Sequence, residues 1–533
     1  MSQCRGRLVE LLTVAGFCAF LFYFGLSAFG LLGADEPRYA QIAREMLERR
    51  DLVTPTLYGN PWLEKPPLYY WEAMKTYWAL GVSDWAARLP SAAAASFMVA
   101  MLFFFLRRFR PGSQVNGALM TASSAGMIGF ARGAGTDMLL AAAFSVGMLA
   151  WFAWYASEHR LWLIFFYFLM GIGMLAKGPV APLLAALIIL TFALAQREAR
   201  LVTCTLWAPG VLLFLGLSLP WYVAVQLQNP QFLREFILQH NLERFATNVY
   251  HHKQPFWYFV PVLLLGVMPW TALVFAAWVD TVKRGHQHLP SQEQALRKFL
   301  VLWVAVVVVF FSISASKLPG YILPAMPACT VLAADWVARQ VRLDWVVILA
   351  QSVLSAALLT LALLYPNLLV YRHIPSEALW LAPGIGGLVF VATVSTLARK
   401  GAAALQVVVL TPVVLGLAFL LRIGAPAIDN ALSARPLARE ITRMEGHPVK
   451  VAVFKVSRET EYGLAFYRNR PIPRYERGEL PLQDHLVVVP EAQADELLKL
   501  VPLRRASHLG AFAPQHLDFF WVSTPPAMPR EHQ

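Results

Sequence analysis

The chain has 533 residues, of which 58% are hydrophobic and only 14% are charged, and its formal net charge is +13. A soluble globular protein carries about 25% charged residues, so this composition excludes an ordinary soluble domain. Apolar runs of about 18 or more residues recur along the chain without strict alternation, which predicts a polytopic helical membrane protein and not a β-barrel. The cationic residues fall in short clusters between these runs, as they do in the cytoplasmic loops of membrane proteins. The positive net charge therefore does not indicate nucleic-acid binding.

The first apolar run begins after two arginines and extends over residues 8–32. It is long for the apolar part of a cleaved signal peptide, so we interpret it as a retained first span. Twelve further runs follow it. The predicted spans are 8–32, 90–107, 114–130, 137–155, 161–176, 178–195, 205–226, 257–279, 299–315, 319–338, 344–365, 379–398 and 402–422.

Loop charges predict the orientation of these spans. Alternate loops hold clusters such as Arg107, Arg108 and Arg110, or the pair Arg399 and Lys400. The short loops between them hold single cations, namely Arg132, Lys177, Lys317 and Arg372. Cation-rich loops stay on the cytoplasmic side. The N-terminus is therefore predicted inside, and the region after the thirteenth span is predicted outside.

Two long loops, residues 33–89 and 227–256, face outside in this arrangement. Within the first, Pro37 to Arg50 reads as a helix with its small apolar residues on one side, which suits a helix lying in the membrane interface. Long loops at the membrane surface often carry function. We therefore expect the chemistry of this protein on the outer face.

The last hundred residues change character. Val449–Val456 and His485–Val489 read as strands, and Glu491–Leu500 reads as a helix. The sequence thus predicts a membrane domain over residues 1–425 and a small α/β domain over residues 426–533. It contains no Walker loop and no dinucleotide-binding glycine fingerprint, so no nucleotide cofactor is expected.

Two aspartates stand at the outer ends of predicted spans. Asp35 follows the first span, and Asp137 precedes the fourth. Either residue alone is explained as the N-cap of a helix, a position that Asp favours. Glycosyl transfer, however, commonly uses a pair of carboxylates, one of them as a base or charge stabiliser. We interpret Asp35 and Asp137 as the catalytic candidates.

Lysines on the same face suggest an anionic substrate. Glu64 and Lys65 are adjacent in a rigid segment before two prolines, and Lys177 and Lys317 lie in otherwise apolar turns. A surface ion pair or a single interfacial lysine contributes little. Three lysines on one face favour a bound phosphate. Glu64 together with a histidine of the second loop would suit a zinc-like ion.

Several motifs resemble the bacterial lipid A aminoarabinose transferases, which are relatives of the protein O-mannosyltransferases in the GT-C glycosyltransferase class. The resemblance covers about residues 10–330. The matching motifs are Asp35-Glu36-Pro37-Arg38-Tyr39-Ala40, Arg44-Glu45-Met46, Glu64-Lys65-Pro66, Leu175-Ala176-Lys177-Gly178, Leu219-Pro220-Trp221, His240 with Arg244-Phe245, Pro255-Phe256-Trp257-Tyr258 and Lys317-Leu318-Pro319-Gly320-Tyr321-Ile322-Leu323.

This resemblance implies a GT-C helical bundle in the bacterial inner membrane with a periplasmic active site. It implies an inverting enzyme that takes a sugar from a polyprenyl-phosphate carrier. Asp35 and Asp137 would be its carboxylates, and Glu64 with His252 would be metal ligands. The substrate-binding residues implied are Arg38, Lys65, Lys177, Arg244, Lys317 and Tyr321.

The expected partners are a lipid-linked sugar donor, a lipid or glycan acceptor and the membrane. The family favours 4-amino-4-deoxy-L-arabinose as the sugar and a lipid A phosphate as the acceptor. Two alternatives stay open. One is the same fold and donor class with another sugar and a hydroxyl acceptor on a protein or envelope glycan. The other is a lipid-linked-sugar transporter without enzymatic activity, although inverted repeats, which are typical of transporters, are not found.

Overall fold

The computed structural model describes residues 2–236, 254–284, 291–371, 376–445, 449–501 and 504–523. Long apolar helices form a bundle, and a small domain built on a four-stranded sheet lies against one end of it. The predicted fold class, a polytopic helical membrane protein with a small C-terminal α/β domain, is confirmed. The division between residues 425 and 426 stays a prediction.

The helices overlap the predicted spans, although several begin or end some residues away from the predicted bounds. They span Ser2–Cys18, Asp35–Arg49, Leu68–Leu80, Asp84–Phe109, Gln114–Ser123, Ala125–Ala131, Thr136–Ser157, Leu161–Lys177, Val180–Gln196, Arg200–Thr205, Ala208–Gln228, Phe259–Gly266, Thr271–Arg284, Ser291–Ile313, Met326–Val337, Trp345–Tyr371, Ser376–Lys400, Leu405–Arg422, Ala425–Leu432, Ala434–Met444, Arg458–Arg468 and Ala494–Leu500.

Every predicted span coincides with one or two of these helices. Within the described ranges, eight helical segments are long and apolar enough to cross a membrane, or nine if the bent pair Phe256–Gly266 and Thr271–Lys283 is one span. Two shorter apolar helices, Leu161–Lys177 and Val180–Gln196, coincide with two more predicted spans. The chain is a multi-pass membrane protein, and the count of thirteen crossings stays a prediction.

Two predicted spans are interrupted. The first helix ends in a π-helical turn at Ala19–Tyr23, well before residue 32. The segment 114–130 breaks at Ser124, whose hydroxyl bonds back to the carbonyl of Met120 while its backbone is extended. Serine hydroxyls compete in this way with the helical backbone, which hydropathy alone does not register.

Arg88 organises the connection that follows the first helix. Its guanidinium donates to the carbonyls of Leu26, Phe29 and Gly30 at 2.8–2.9 Å and to Glu36 Oε2 at 2.7 Å. Only 1% of the Arg88 side chain is exposed. Because a buried charge needs both a counter-ion and hydrogen bonds, this connection can adopt few other shapes.

The helix Asp35–Arg49, which we call the loop helix, follows this connection. It stops at Arg50, whose left-handed backbone (φ 53°) donates to the carbonyls of Leu47 and Met46. A hairpin, Thr56–Leu57 with Asn60–Pro61, packs beside it. The Glu45 carboxylate joins the two, since it accepts from the amides of Tyr58 and Gly59 at 2.8 and 3.1 Å.

The C-terminal domain is an α/β layer structure. Strand Lys450–Val453 pairs in parallel with His485–Pro490, which pairs antiparallel with Leu517–Ser523, and that strand pairs antiparallel with Arg505–Phe512. The predicted helix Glu491–Leu500 is regular only over Ala494–Leu500, after a 3₁₀ turn. Apolar cores cover both faces of the sheet.

Polar contacts fix this domain to the bundle. Arg435 pairs with Asp429 at 2.7 Å and with Asp84, at the start of a long helix, at 2.8 Å. The Tyr467 hydroxyl donates to Asp84 at 2.7 Å and accepts from the amide of Leu31 at 2.7 Å. The domain therefore holds the same connection that Arg88 organises.

The opposite end of the bundle contains a second buried ionic network. Asp335, whose side chain is 3% exposed, pairs with Arg297 at 3.1 Å and also with Arg339 and Arg110. Arg110 pairs in addition with Glu293. These residues tie together the ends of three bundle helices, which gives them a structural role.

Candidate active site

Four charged residues form what we call the loop cluster. Arg38 on the loop helix lies 2.7 Å from Asp35 Oδ1 and 3.5 Å from Glu64 Oε2, and Lys65 Nζ lies 2.9 Å from Glu64 Oε1. The side chains of Arg38, Glu64 and Lys65 are only 10–13% exposed, whereas that of Asp35 is 64% exposed. The carboxylate of Asp35 is thus oriented by a cation and remains accessible.

Neither catalytic candidate acts as a helix cap. The N-caps of the two helices are Ala34 and Gly135, and in both cases the side chain makes no capping hydrogen bond. Asp35 and Asp137 lie one and two positions further on, where each pairs with a cation. The capping explanation is therefore wrong for both residues.

Arg38 lies among aromatic rings. Its guanidinium carbon is 5.1 Å from the ring centroid of Tyr39, 5.2 Å from that of Trp62 and 5.8 Å from that of Tyr462. Burial alone would lower the pKa of Arg38, but Tyr39, Glu64 and Asp35 together raise it. Arg38 is therefore a permanent cation, and one of the rings around it belongs to the C-terminal domain.

Three buried donors beside this cluster lack a hydrogen-bond partner among the described residues. They are Arg38 Nε, Trp62 Nε1 and the hydroxyl of Tyr70. Burial, followed by the charge of Glu64, raises the pKa of Tyr70, so its hydroxyl stays neutral. Buried donors are nearly always satisfied, so these groups are suited to a ligand. Sequence reasoning did not single out Tyr70, and its only local signal is a pair of tyrosines shortly after Pro66-Pro67.

A second group, the turn cluster, comprises Asp137, Lys177 and Tyr321. Lys177 Nζ pairs with Asp137 Oδ1 and lies 5.0 Å from the ring centroid of Tyr321. The side chains of Lys177 and Asp137 are 16% and 27% exposed. The structure therefore brings together three of the predicted site residues from three separate turns.

Lys317 lies in a different environment. It is buried, and its Nζ donates to the carbonyl of Ser314 at 2.5 Å, just beyond the helix Ser291–Ile313. A cation at the C-terminal end of a helix is favourable for the helix dipole. Lys317 thus has a structural explanation, and its role in phosphate binding stays a prediction.

The two clusters lie at the same end of the bundle. A methyl group built on Gly133, in the turn before Asp137, would lie 3.2 Å from Glu36 Oε1, the neighbour of Asp35. In the same turn, the carbonyl of Gly135 accepts from Ser91 at 3.3 Å. The turn that carries Asp137 therefore borders the start of the loop helix that carries Asp35.

Arg244 and His252 lie outside the described residues. Among those described, there is no group of three or more His, Cys, Asp or Glu side chains arranged to hold a metal ion. The proposed ligand Glu64 already faces two cations, Arg38 and Lys65. A divalent ion at Glu64 would meet their positive charge, and because His252 lies outside the described residues the metal pair stays a prediction.

Comparison with known proteins agrees with these observations. The family described as dolichyl-phosphate-mannose-protein mannosyltransferase matches residues 64–223. An undecaprenyl phosphate-alpha-4-amino-4-deoxy-L-arabinose arabinosyl transferase of Serratia proteamaculans is 30% identical over 63% of this chain and 60% of its own length. The protein of the same name from Yersinia enterocolitica is 31% identical, with the same two coverages. The resemblance to the aminoarabinose transferases is confirmed.

Solved structures show the same fold. The crystal structure of ArnT from Cupriavidus metallidurans bound to undecaprenyl phosphate has a TM-score of 0.79 at 23% identity and covers 98% of this chain and 99% of that one. An oligosaccharyltransferase from Archaeoglobus fulgidus has a TM-score of 0.51 at 10% identity. The GT-C fold is thereby established. The chain spans about 60% of the length of the curated arabinosyl transferases that it matches.

Gly320 provides a test of the turn cluster. An added methyl group there would lie 2.9 Å from Asp137 Oδ1 and 2.9 Å from the ring of Phe130. We expect Gly320→Ala to displace Asp137 and to lower the sugar transfer that the sequence predicts by about 10²-fold, the scale associated with a misplacement of about 1 Å. Transfer rates and thermal unfolding of the detergent-purified proteins give the measurement.

Gly129→Ala is the matched control, because Gly129 lies inside the helix Ala125–Ala131 and a methyl group there meets nothing within 4 Å. The control should retain both rate and stability. An unchanged rate in Gly320→Ala, or an equal loss in both variants, would contradict the importance of the position of Asp137.

Proposed function

We propose that this protein is an inverting glycosyltransferase that uses a polyprenyl-phosphate sugar as its donor. The proposed sugar is 4-amino-4-deoxy-L-arabinose and the proposed acceptor is a lipid A phosphate. The observation that carries the proposal is the pair of carboxylate–cation clusters at one end of an apolar bundle. The names of the relatives and the undecaprenyl phosphate bound in the ArnT structure support the donor and the sugar.

In the proposed reaction, the bond between the anomeric carbon and the carrier phosphate oxygen breaks, and the phosphate leaves with the bonding electrons. An oxygen of the acceptor phosphate forms the new bond from the opposite side. Positive charge develops on the sugar and negative charge on the leaving phosphate. An anionic acceptor needs no deprotonation, so the protein has mainly to position the reactants and stabilise these charges.

The described residues suit these tasks. Lys65 and Lys177 would face the leaving phosphate, with Tyr321 beside Lys177. Asp35, the most exposed carboxylate of the loop cluster, would stabilise positive charge on the sugar while Arg38 holds its orientation. Asp137 would position Lys177 through their ion pair. Arg244 is proposed to bind substrate, and Lys317 to support the phosphate from the end of its helix.

Replacing Asp35 tests the catalytic assignment. Asp35→Asn removes the negative charge with little change in shape, and we expect transfer to fall by about 10²- to 10⁴-fold. The variant should still fold, because the Asp35 side chain is largely exposed and caps no helix. Mass spectrometry of lipid A incubated with purified polyprenyl-phosphate aminoarabinose measures the product.

Glu48→Gln is the matched control on the same helix. Its side chain is 54% exposed and lies 3.7 Å from Arg44, outside the loop cluster. It should keep normal transfer. Near-normal turnover of Asp35→Asn in the same assay would remove Asp35 from the proposed mechanism.

Lys65 tests the donor assignment. A lysine holds a phosphate as a point charge, so Lys65→Ala should raise the donor KM more than the acceptor KM. The side chain of Lys65 is only 10% exposed. The control is Lys75→Ala on a neighbouring helix, where the lysine side chain is 69% exposed. Donor titrations with the polyprenyl-phosphate sugar give both constants.

The same assay, repeated with the matching nucleotide sugar, distinguishes the donor classes. We expect no transfer from the nucleotide sugar. Transfer from the nucleotide sugar alone would overturn the donor assignment, and transfer to a protein or glycan hydroxyl alone would overturn the acceptor.

A metal ion held by Glu64 and His252 is kept out of the proposed mechanism. Arg38 and Lys65 occupy the surroundings of Glu64, and no step above needs a metal. Elemental analysis of the purified protein and of Glu64→Gln tests this choice. If the purified protein contains stoichiometric zinc and Glu64→Gln does not, Glu64 and His252 would be reinstated as metal ligands.

The proposed location is the bacterial inner membrane, with the N-terminus cytoplasmic and both clusters periplasmic. The basis is the distribution of cations among the loops. Reporter fusions after Lys400 and after Ser523 should report cytoplasm and periplasm, respectively. The same compartment for both fusions would overturn this orientation.

A further inference from the structure

A large crevice lies between the bundle and the C-terminal domain, apart from both charged clusters. Its volume is about 800 Å³. It lies near the end of the helix Leu405–Arg422 and the segment that follows the first helix. These two segments pack closely, since a methyl group built on Gly25 would lie 3.4 Å from the Leu421 side chain. The helix Ala434–Met444 and Phe512 of the sheet complete its lining.

The helix Ala434–Met444 gives this crevice its charge. Arg435, Arg439 and Arg443 follow one another at four-residue spacing and therefore share one face. The other face, with Leu437 and Ile441, packs into the core of the domain. The crevice is thus lined by a row of arginines whose position is fixed by apolar packing.

Two of the lining arginines have no counter-ion in the part of the chain described. Arg435 pairs with Asp429 and Asp84, and Arg443 lies 3.3 Å from Glu440. Arg422 and Arg439 make no such pair. The four lining arginines meet three carboxylates, the lining Asp429 and Glu440 and the neighbouring Asp84, which leaves one positive charge in excess.

The crevice also has an apolar side at the end of the bundle. Phe24, next to the last turn of the first helix, is 42% exposed there, and Leu421 and Pro426 line the same region. A free phosphate ion would use only the arginines. A lipid with a phosphate headgroup would use the arginines and the apolar wall together, and cations beside a membrane helix attract such lipids.

We propose that this crevice binds an anionic glycerophospholipid. The lipid phosphate lies between Arg422 and Arg439, and its acyl chains descend past Phe24 along the bundle. Arg422 is the last residue of a bundle helix and Arg439 belongs to the C-terminal domain. The bound lipid therefore joins the domain to the membrane. This site is independent of the proposed transfer reaction.

Native mass spectrometry of the full chain in detergent tests the site. Dioleoyl phosphatidylglycerol is titrated against dioleoyl phosphatidylcholine and against inorganic phosphate at the same concentrations. We expect saturable binding of one phosphatidylglycerol, which also raises the temperature of unfolding. Arg422→Gln and Arg439→Gln should each weaken this binding about fivefold, the effect of one cation beside an anionic lipid.

Two double variants distinguish the effect of the lost charges from an effect on folding. Arg422→Lys with Arg439→Lys keeps both charges and should retain most of the affinity. Arg458→Gln with Arg470→Gln removes two exposed arginines elsewhere in the domain and should not affect binding. Equal binding of phosphatidylcholine, equal binding of inorganic phosphate, or unchanged affinity in both Arg422→Gln and Arg439→Gln would overturn the proposal.

Discussion

The buried guanidinium of Arg88 is the constraint on which the proposed active site depends. It fixes the carbonyls of the connection after the first helix and holds Glu36, the second residue of the loop helix. The position of that helix sets the position of Asp35 and Arg38. Removing one partner of a buried charge pair costs about 3–5 kcal/mol, so the geometry of the loop cluster is maintained by a residue that need not touch a substrate.

Hydropathy predicted the helical bundle because burial in a membrane is a local property of each segment. Each predicted span is helical in the structure, and the errors lie at ends and breaks such as Ser124. The ionic contacts were not predictable in this way. Arg88 and Glu36 are 52 residues apart, and Arg435 and Asp84 are 351 apart. Nothing local in the sequence indicates which charges will meet.

In the candidate site as well, the sequence indicated the residues but not the contacts between them. Residue type and predicted topology identified the charged candidates, because an ionisable residue at the edge of a membrane bundle requires an explanation. These candidates are Asp35, Glu64, Lys65, Asp137 and Lys177. The ion pairs and caps exclude the capping explanation, and they became visible only in three dimensions. Lys317, which resembles Lys177 in sequence context, bonds instead to a backbone carbonyl. The hydroxyl of Tyr70, which has no partner among the described residues, was not predictable either, since a sequence does not show which donors lack partners.

The ionic network around Asp335 has a consequence for how the bundle can move. A carrier that moves a substrate across a membrane must open alternately to both sides. To open the end that contains Asp335, the bundle would have to separate its carboxylate from Arg110, Arg297 and Arg339 in a poorly hydrated environment. Each separated pair would leave uncompensated buried charge at a cost of several kcal/mol. The network therefore favours a bundle that stays closed at this end.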